Sequence, residues 1–368
     1  MIETPSLVDQ HCHGVLRTEL GLGTFEAQLA RTEGPPAPGT TLFDTQTGFA
    51  VRRWCPPLLG LEPHCPPARY LARRRELGVL EAGRRLLRGS GVTAYLVDTG
   101  LPGDLTGPGE MASAGAAAAH EVVRLELLAE QVADTSGTVG SFLANLAESV
   151  HGAAAQAVAF TSVAGLRHGL ALAPEPPGPS QVRGAAGRWL ARREVGGELS
   201  DPVLLRHLLW TAVASGRPLQ LHAGPAGPGG RADRTDPVLL TDFVRATAGL
   251  GTDLVLLHGY PYHRNAAHLA AVFPHVYTDS GAAPARTGAR AATVLAEVLE
   301  LAPFGKVLFS SGAGGLPELH LVGARLFREA LERVLGAWVA EGAWSAQDAR
   351  RVARMVAAGN ARRVYGLG

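Results

Sequence analysis

Two histidines flank a cysteine near the start of the chain, in the stretch LVDQHCHG that runs from Leu7 to Gly14. Imidazole is the commonest side-chain ligand for transition metals, so divalent metal binding is the chemistry this spacing suggests. On a β-strand, residues two apart project to one face, roughly 6–7 Å apart along the backbone. Rings from His11 and His13 can then converge on one ion at about 2 Å each. The same alternation groups Asp9 with His11 and His13 and turns Cys12 away as a packing residue. Two more histidines close apolar runs: His222 in PLQLHAG and His258 in DLVLLHGY. Taken singly, each is more often a core or surface residue. Four at the same end of three strands favour a shared site.

For these histidines to meet, their strands must lie side by side in a parallel sheet. Eight short apolar or alternating segments recur along the chain, at 6–14, 92–100, 121–128, 157–165, 218–224, 253–260, 275–281 and 306–312. Helical segments separate them, expected at 69–88, 141–152, 202–215, 237–250, 266–273 and 287–301, and helices at 318–342 and 345–358 close the chain. Eight alternating units predict a single (β/α)8 barrel domain over 1–368, with its chemistry at the C-terminal strand ends. An open doubly wound sheet is the alternative, but no G-x-G-x-x-G follows the first strand. The Gly- and Pro-rich stretch 15–68 is too long for a simple connection and is expected to form a lid-like insertion. The prolines of 171–193 predict extended structure there.

Of the remaining histidines, His64, His120, His151, His207, His263, His268, His275 and His320 fall in expected helices, loops or strand starts and are read as structural. His168, after the fourth strand, is placed to reach the barrel mouth. A net charge of +1 and 18% charged residues give no basic surplus for nucleic acid or anionic membrane. Small molecules or proteins are left as partners, and a homodimer is a further expectation. No apolar run approaches the ~20 residues of a membrane span. Three cysteines, an odd number without zinc-ribbon spacing, fit a reducing, cytoplasmic compartment.

Beyond VDQHCHG, the segments VDTGL, AFTSVAGLRHGL, LHAG, LLHGYPYHRNAAHLA, GLPELHLVGARLFREAL and GNARRVYGL follow in order. Together they resemble the amidohydrolase superfamily. The likeness is greatest to the amidohydrolase-related branch that includes proteins fused to, or encoded beside, glutamine-synthetase-like enzymes. The resemblance implies that His11, His13 and His222 ligate one divalent metal, zinc or alternatively manganese. It makes His258 a second-site ligand or an acid/base helper.

Two family features are missing. The strand-eight aspartate, which normally follows a serine, is read as replaced by Ser311, and a hydroxyl is no carboxylate base. A strand-four lysine, carboxylated in part of the family, is Thr161 here, and the chain's single lysine, Lys306, begins strand eight at the opposite end. Asp279 is the first substitute carboxylate, followed by Glu318 and Asp98; Arg167 is a candidate clamp for a substrate carboxylate. Glu318 and His168 join Arg167 as expected substrate contacts. The expected function is metal-dependent hydrolysis of a C–N bond, an amide or γ-glutamyl-type linkage. The alternatives are a catalytically impaired barrel acting as a binding or regulatory protein, and a metal-dependent decarboxylase.

Overall fold

The computed structural model describes residues 5–30, 36–224 and 231–368. Its strands are β1 (Leu7–Cys12), β2 (Val92–Asp98), β3 (Ala118–Arg124), β4 (Ala159–Ser162), β5 (Leu219–His222), β6 (Leu254–Leu257), β7 (Val276–Asp279) and β8 (Val307–Leu308). They form one eight-stranded sheet in the order β1-β2-β3-β4-β5-β6-β7-β8, with helices between them, as in a (β/α)8 barrel. Beyond β8 the chain runs alongside β1: Gln10 N donates to Phe309 O, Gly312 N to His11 O and His13 N to Ala313 O. The fully buried runs of β4 to β7 match strands covered on both faces.

Two compact units are distinguished. The first comprises described residues 5–120 and 279–368, with β1, β2 and β8. Here the described part of the stretch 15–68 contains helices Leu22–Ala30 and Gln46–Leu58, the second capped by the Thr45 hydroxyl. Phe25, Phe43, Cys55 and Leu59 join Leu321, Val322 and Leu326 of helix Pro317–Ala340 in one core. Each such apolar side chain contributes about 1.5–3 kcal/mol on burial, so the insertion's apolar side belongs to the fold of this unit. The helix expected at 69–88 is divided into Pro67–Leu77 and Val79–Gly89 by Gly78, whose φ of 77° no helix accommodates.

The second unit comprises described residues 121–224 and 231–278, with β4, β5, β6 and most of β3 and β7. The third strand, expected over 121–128, stops at Arg124, because LELLAEQVAD carries strong helix formers and continues as helix Leu125–Asp134. The expectation of extended structure over 171–193 is also corrected, since Pro179–Arg192 is helical. Pro179 sits in its first turn, where a missing N–H costs nothing, and Gln181 Oε1 accepts from Gly178 N. Trp189 of this helix then packs against Phe142, with the rings tilted and their centroids 5.7 Å apart.

Candidate metal centre

In the first unit β1 ends in a pair of buried imidazoles. The rings of His11 and His13 meet edge to face with centroids 5.2 Å apart. Asp98 closes β2 beside them: His13 Nδ1 lies 3.0 Å from the Asp98 main-chain oxygen and 3.7 Å from its carboxylate. A carbonyl oxygen only accepts, so Nδ1 carries the proton and the Nε2 lone pair is available to a metal. Asp98 is itself oriented by Gly100 N at 2.8 Å. Donor atoms of His11, His13 and Asp98 lie within 4.8 Å of one another. Two buried imidazoles, one of them held by a carboxylate at its other nitrogen, suit a zinc-type ion, so the residues fit the metal the resemblance implies. The loop after β8 packs directly against this pair, and a Cβ on Gly314 would stand 2.9 Å from His13 Cβ.

The simple alternation expected for β1 does not hold. Its register against β2 shifts between Asp9 and Cys12, so Asp9 does not share a side with His11 and His13. It lies with Cys12 and with His320 of helix Pro317–Ala340. An irregularity in a ladder re-aims side chains in this way, and it places both histidines together without strict alternation. Burial pushes the Asp9 carboxyl up to about 7, opposed by hydrogen bonds from Ser311.

That contact also corrects the part assigned to Ser311. Its Oγ donates to Asp9 Oδ2 at 2.5 Å and its N to Oδ1 at 2.8 Å, and it packs on Gly323 of the helix. Ser310 instead donates to Asp279 Oδ2 at 2.5 Å, where Gln10 Nε2 also donates at 3.1 Å. Tyr365, in the last helix Asn360–Tyr365, donates to Gln10 Oε1 and so fixes which end of that amide faces Asp279. Gln10, Ser310 and Tyr365 carried no signal that sequence reasoning used. Glu318 is buried, with Oε1 accepting from Tyr70 Oη at 2.7 Å and Arg74 Nε at 2.9 Å. This is the arginine pairing that competes with any substrate contact.

The second unit carries the other two histidines. His222 ends β5 and His258 follows β6, with ring centroids 5.2 Å apart. His258 has a φ of 59°, a conformation costly for a residue with a Cβ and held here by its surroundings. Gly224 approaches so closely that a Cβ would stand 2.0 Å from His258 O, and one on Gly165 would stand 2.7 Å from His222 O. Glu126 accepts from Ser162 Oγ and Val163 N, tying helix Leu125–Asp134 to the turn after β4. Arg167 pairs with Glu130 and Glu198, each at 3.2 Å, so two carboxylates already face the proposed anion clamp. His168 caps the short helix Ala164–Arg167 and is exposed. Thr161 is buried in β4, opposite Gln220 of β5.

Among solved structures, the chain is similar to a candidate metal-dependent hydrolase from Lactobacillus casei, at 24% identity and a TM-score of 0.83 over 99% of this chain and 96% of that one. It is also similar to a uronate isomerase from Bacillus halodurans, at 12% identity and a TM-score of 0.64 over 100% and 94%. At these identities the likeness is one of fold. Protein fluG of Emericella nidulans is 33% identical over 153 residues, which is 41% of this chain and 18% of that protein's length. Residues 61–367 match the amidohydrolase family, a span that begins after β1 and its two histidines. By the extent of that match, the chain belongs to the amidohydrolase family.

Proposed function

We propose that this chain is a single-domain, cytoplasmic, metal-dependent hydrolase that cleaves a C–N bond, an amide or γ-glutamyl-type linkage, in a small molecule. The observation that carries this reading is the His11, His13 and Asp98 group, with donor atoms within 4.8 Å of one another. His11 and His13, with His222 from β5, would hold one divalent ion, zinc first and manganese second. When bound, such an ion supplies Lewis acidity to water and to the carbonyl under attack. Asp98 keeps His13 in the tautomer that presents Nε2.

Asp279 takes the part of the missing strand-eight carboxylate. Its Oδ2 accepts from Gln10 and Ser310, which orient the carboxyl, and as a carboxylate it would accept a proton from the attacking water. His258 is the group that hands a proton to the departing nitrogen. His168 is exposed for contact with substrate, whereas Arg167 and Glu318 act through the carboxylates and arginine they already engage. The assembly proposed is a homodimer.

The test is metal content followed by turnover on a panel of amides and carboxylated aromatics. Expected is bound zinc or manganese, one equivalent of which is lost in His11→Ala and in His13→Ala. In Asp279→Asn the ion stays and kcat falls by about 10²–10⁴. One observation favours a second reading, a catalytically silent barrel: the strand-eight stretch KVLFSSGAGG has no carboxylate, and its Ser311 is engaged by Asp9. Full metal loading with no turnover across the panel would establish that reading.

A further inference from the structure

On the side of β1 turned to helix Pro317–Ala340, a second group of donors has no part in the chemistry above. Asp9, Cys12 and His320 are wholly buried, and their ligand atoms lie within 4.8 Å of one another. We infer that these three residues form a second metal site, structural rather than catalytic, for a thiophilic divalent cation of the zinc type.

The donor chemistry selects the ion. A thiolate discriminates against magnesium and calcium, while imidazole and carboxylate both suit zinc. The charge balance selects it again, because one thiolate and one carboxylate together offset a doubly charged ion, and buried charges persist only when compensated. Ser311 supplies the outer support usual at such centres, with N and Oγ donating to the two oxygens of Asp9. Cys12 Sγ lies 3.6 Å from Leu96 O, where the thiol donates in the metal-free state. On binding, that thiol proton leaves to solvent and the sulfur lone pair forms the bond to the ion. The ligands come from β1 and from a helix more than three hundred residues along the chain. An ion there would cross-link the strand bearing His11 and His13 to the helix behind it.

The test uses the full chain, prepared with zinc and separately with cobalt. Parent protein is expected to hold one more zinc ion than Cys12→Ser or His320→Gln, and to show a near-ultraviolet thiolate-to-cobalt absorption band. That band should vanish in Cys12→Ser and persist in His13→Ala, which breaks only the first site. No thiolate band in the parent, or equal zinc in parent, Cys12→Ser and His320→Gln, would overturn the assignment and leave a hydrogen-bonded cluster. A band lost in His13→Ala but kept in His320→Gln would also overturn it, by assigning Cys12 to the first ion. Should Cys12→Ser fail to fold, His320→Gln and His13→Ala decide between these outcomes. Failure of the first site reads out separately, as zinc unchanged in His13→Ala.

Discussion

The two units hold their histidine pairs by different means. In the first, His13 is set by polar partners: the carbonyl and carboxylate of Asp98 face its Nδ1. In the second, the backbone itself is squeezed, with Gly224 against His258 O, Gly165 against His222 O, and His258 in a left-handed conformation. A pair held by hydrogen bonds can lose a partner and keep its fold while its ligand geometry loosens. A pair held by close backbone approach has no such tolerance, because overpacking moves the chain.

The sharpest break of this contrast is Gly224→Ala. Its φ of 84° and the 2.0 Å approach to His258 O combine left-handed strain with a backbone clash, and the expected loss is about 3 kcal/mol. Urea unfolding checks it, and a variant as stable as the parent would show that His258 is not held this way. The matching change in the first unit, Gly314→Ala, meets the side chain of His13 at 2.9 Å, without positive φ. The atom met is His13 Cβ, which moves only with its backbone, but no left-handed strain is added, so stability should fall by about 2 kcal/mol, within the range for overpacking. Zinc affinity, measured by chelator competition, should fall more visibly.

Asp98→Asn sharpens the polar half. The main-chain acceptor for His13 Nδ1 remains and only the carboxylate charge at 3.7 Å is removed. Zinc affinity should drop about tenfold, the lower end of what outer partners of metal ligands contribute, with little change in melting temperature. A loss far beyond a hundredfold would mean that Asp98 is itself a ligand.

How much of this was legible beforehand follows from which physics the sequence displays. Periodicity of apolar runs identified all eight strands, because most are buried and bounded by small or polar residues. It misjudged the end of β3, where the apolar run passes unbroken from strand to helix at Leu125. The histidines at strand ends could be read because residue type and position coincide. The side each β1 residue faces could not, because the register shift between Asp9 and Cys12 depends on pairing with β2 rather than on local sequence. Ser311 was misassigned for a related reason: adjacent serines look equivalent until one is seen to face Asp9 and the other Asp279. The network of Gln10, Ser310 and Tyr365 joins residues hundreds of positions apart, and no spacing rule announces it.

The smallest expected effect concerns a buried polar fastening of the second unit after β4. Glu126 is fully buried, and burial raises its carboxyl above the ordinary 4.5, against the hydrogen bonds from Ser162 and Val163 that lower it. A carboxyl whose folded value is raised favours the folded state when protonated. Its contribution is therefore fully present below 4.5 and is lost as pH rises through the raised folded value. Glu126→Gln keeps an oxygen to accept both bonds and removes the ionisation. Urea midpoints taken from acid to mildly alkaline pH should then fall less with rising pH in the variant than in the parent, and the two curves should draw together at the acid end. Parallel curves would show that Glu126 ionises without cost. In that case the second unit, like the first, would tolerate charge at its histidine-bearing end, and the contrast between the two would narrow to the glycines alone.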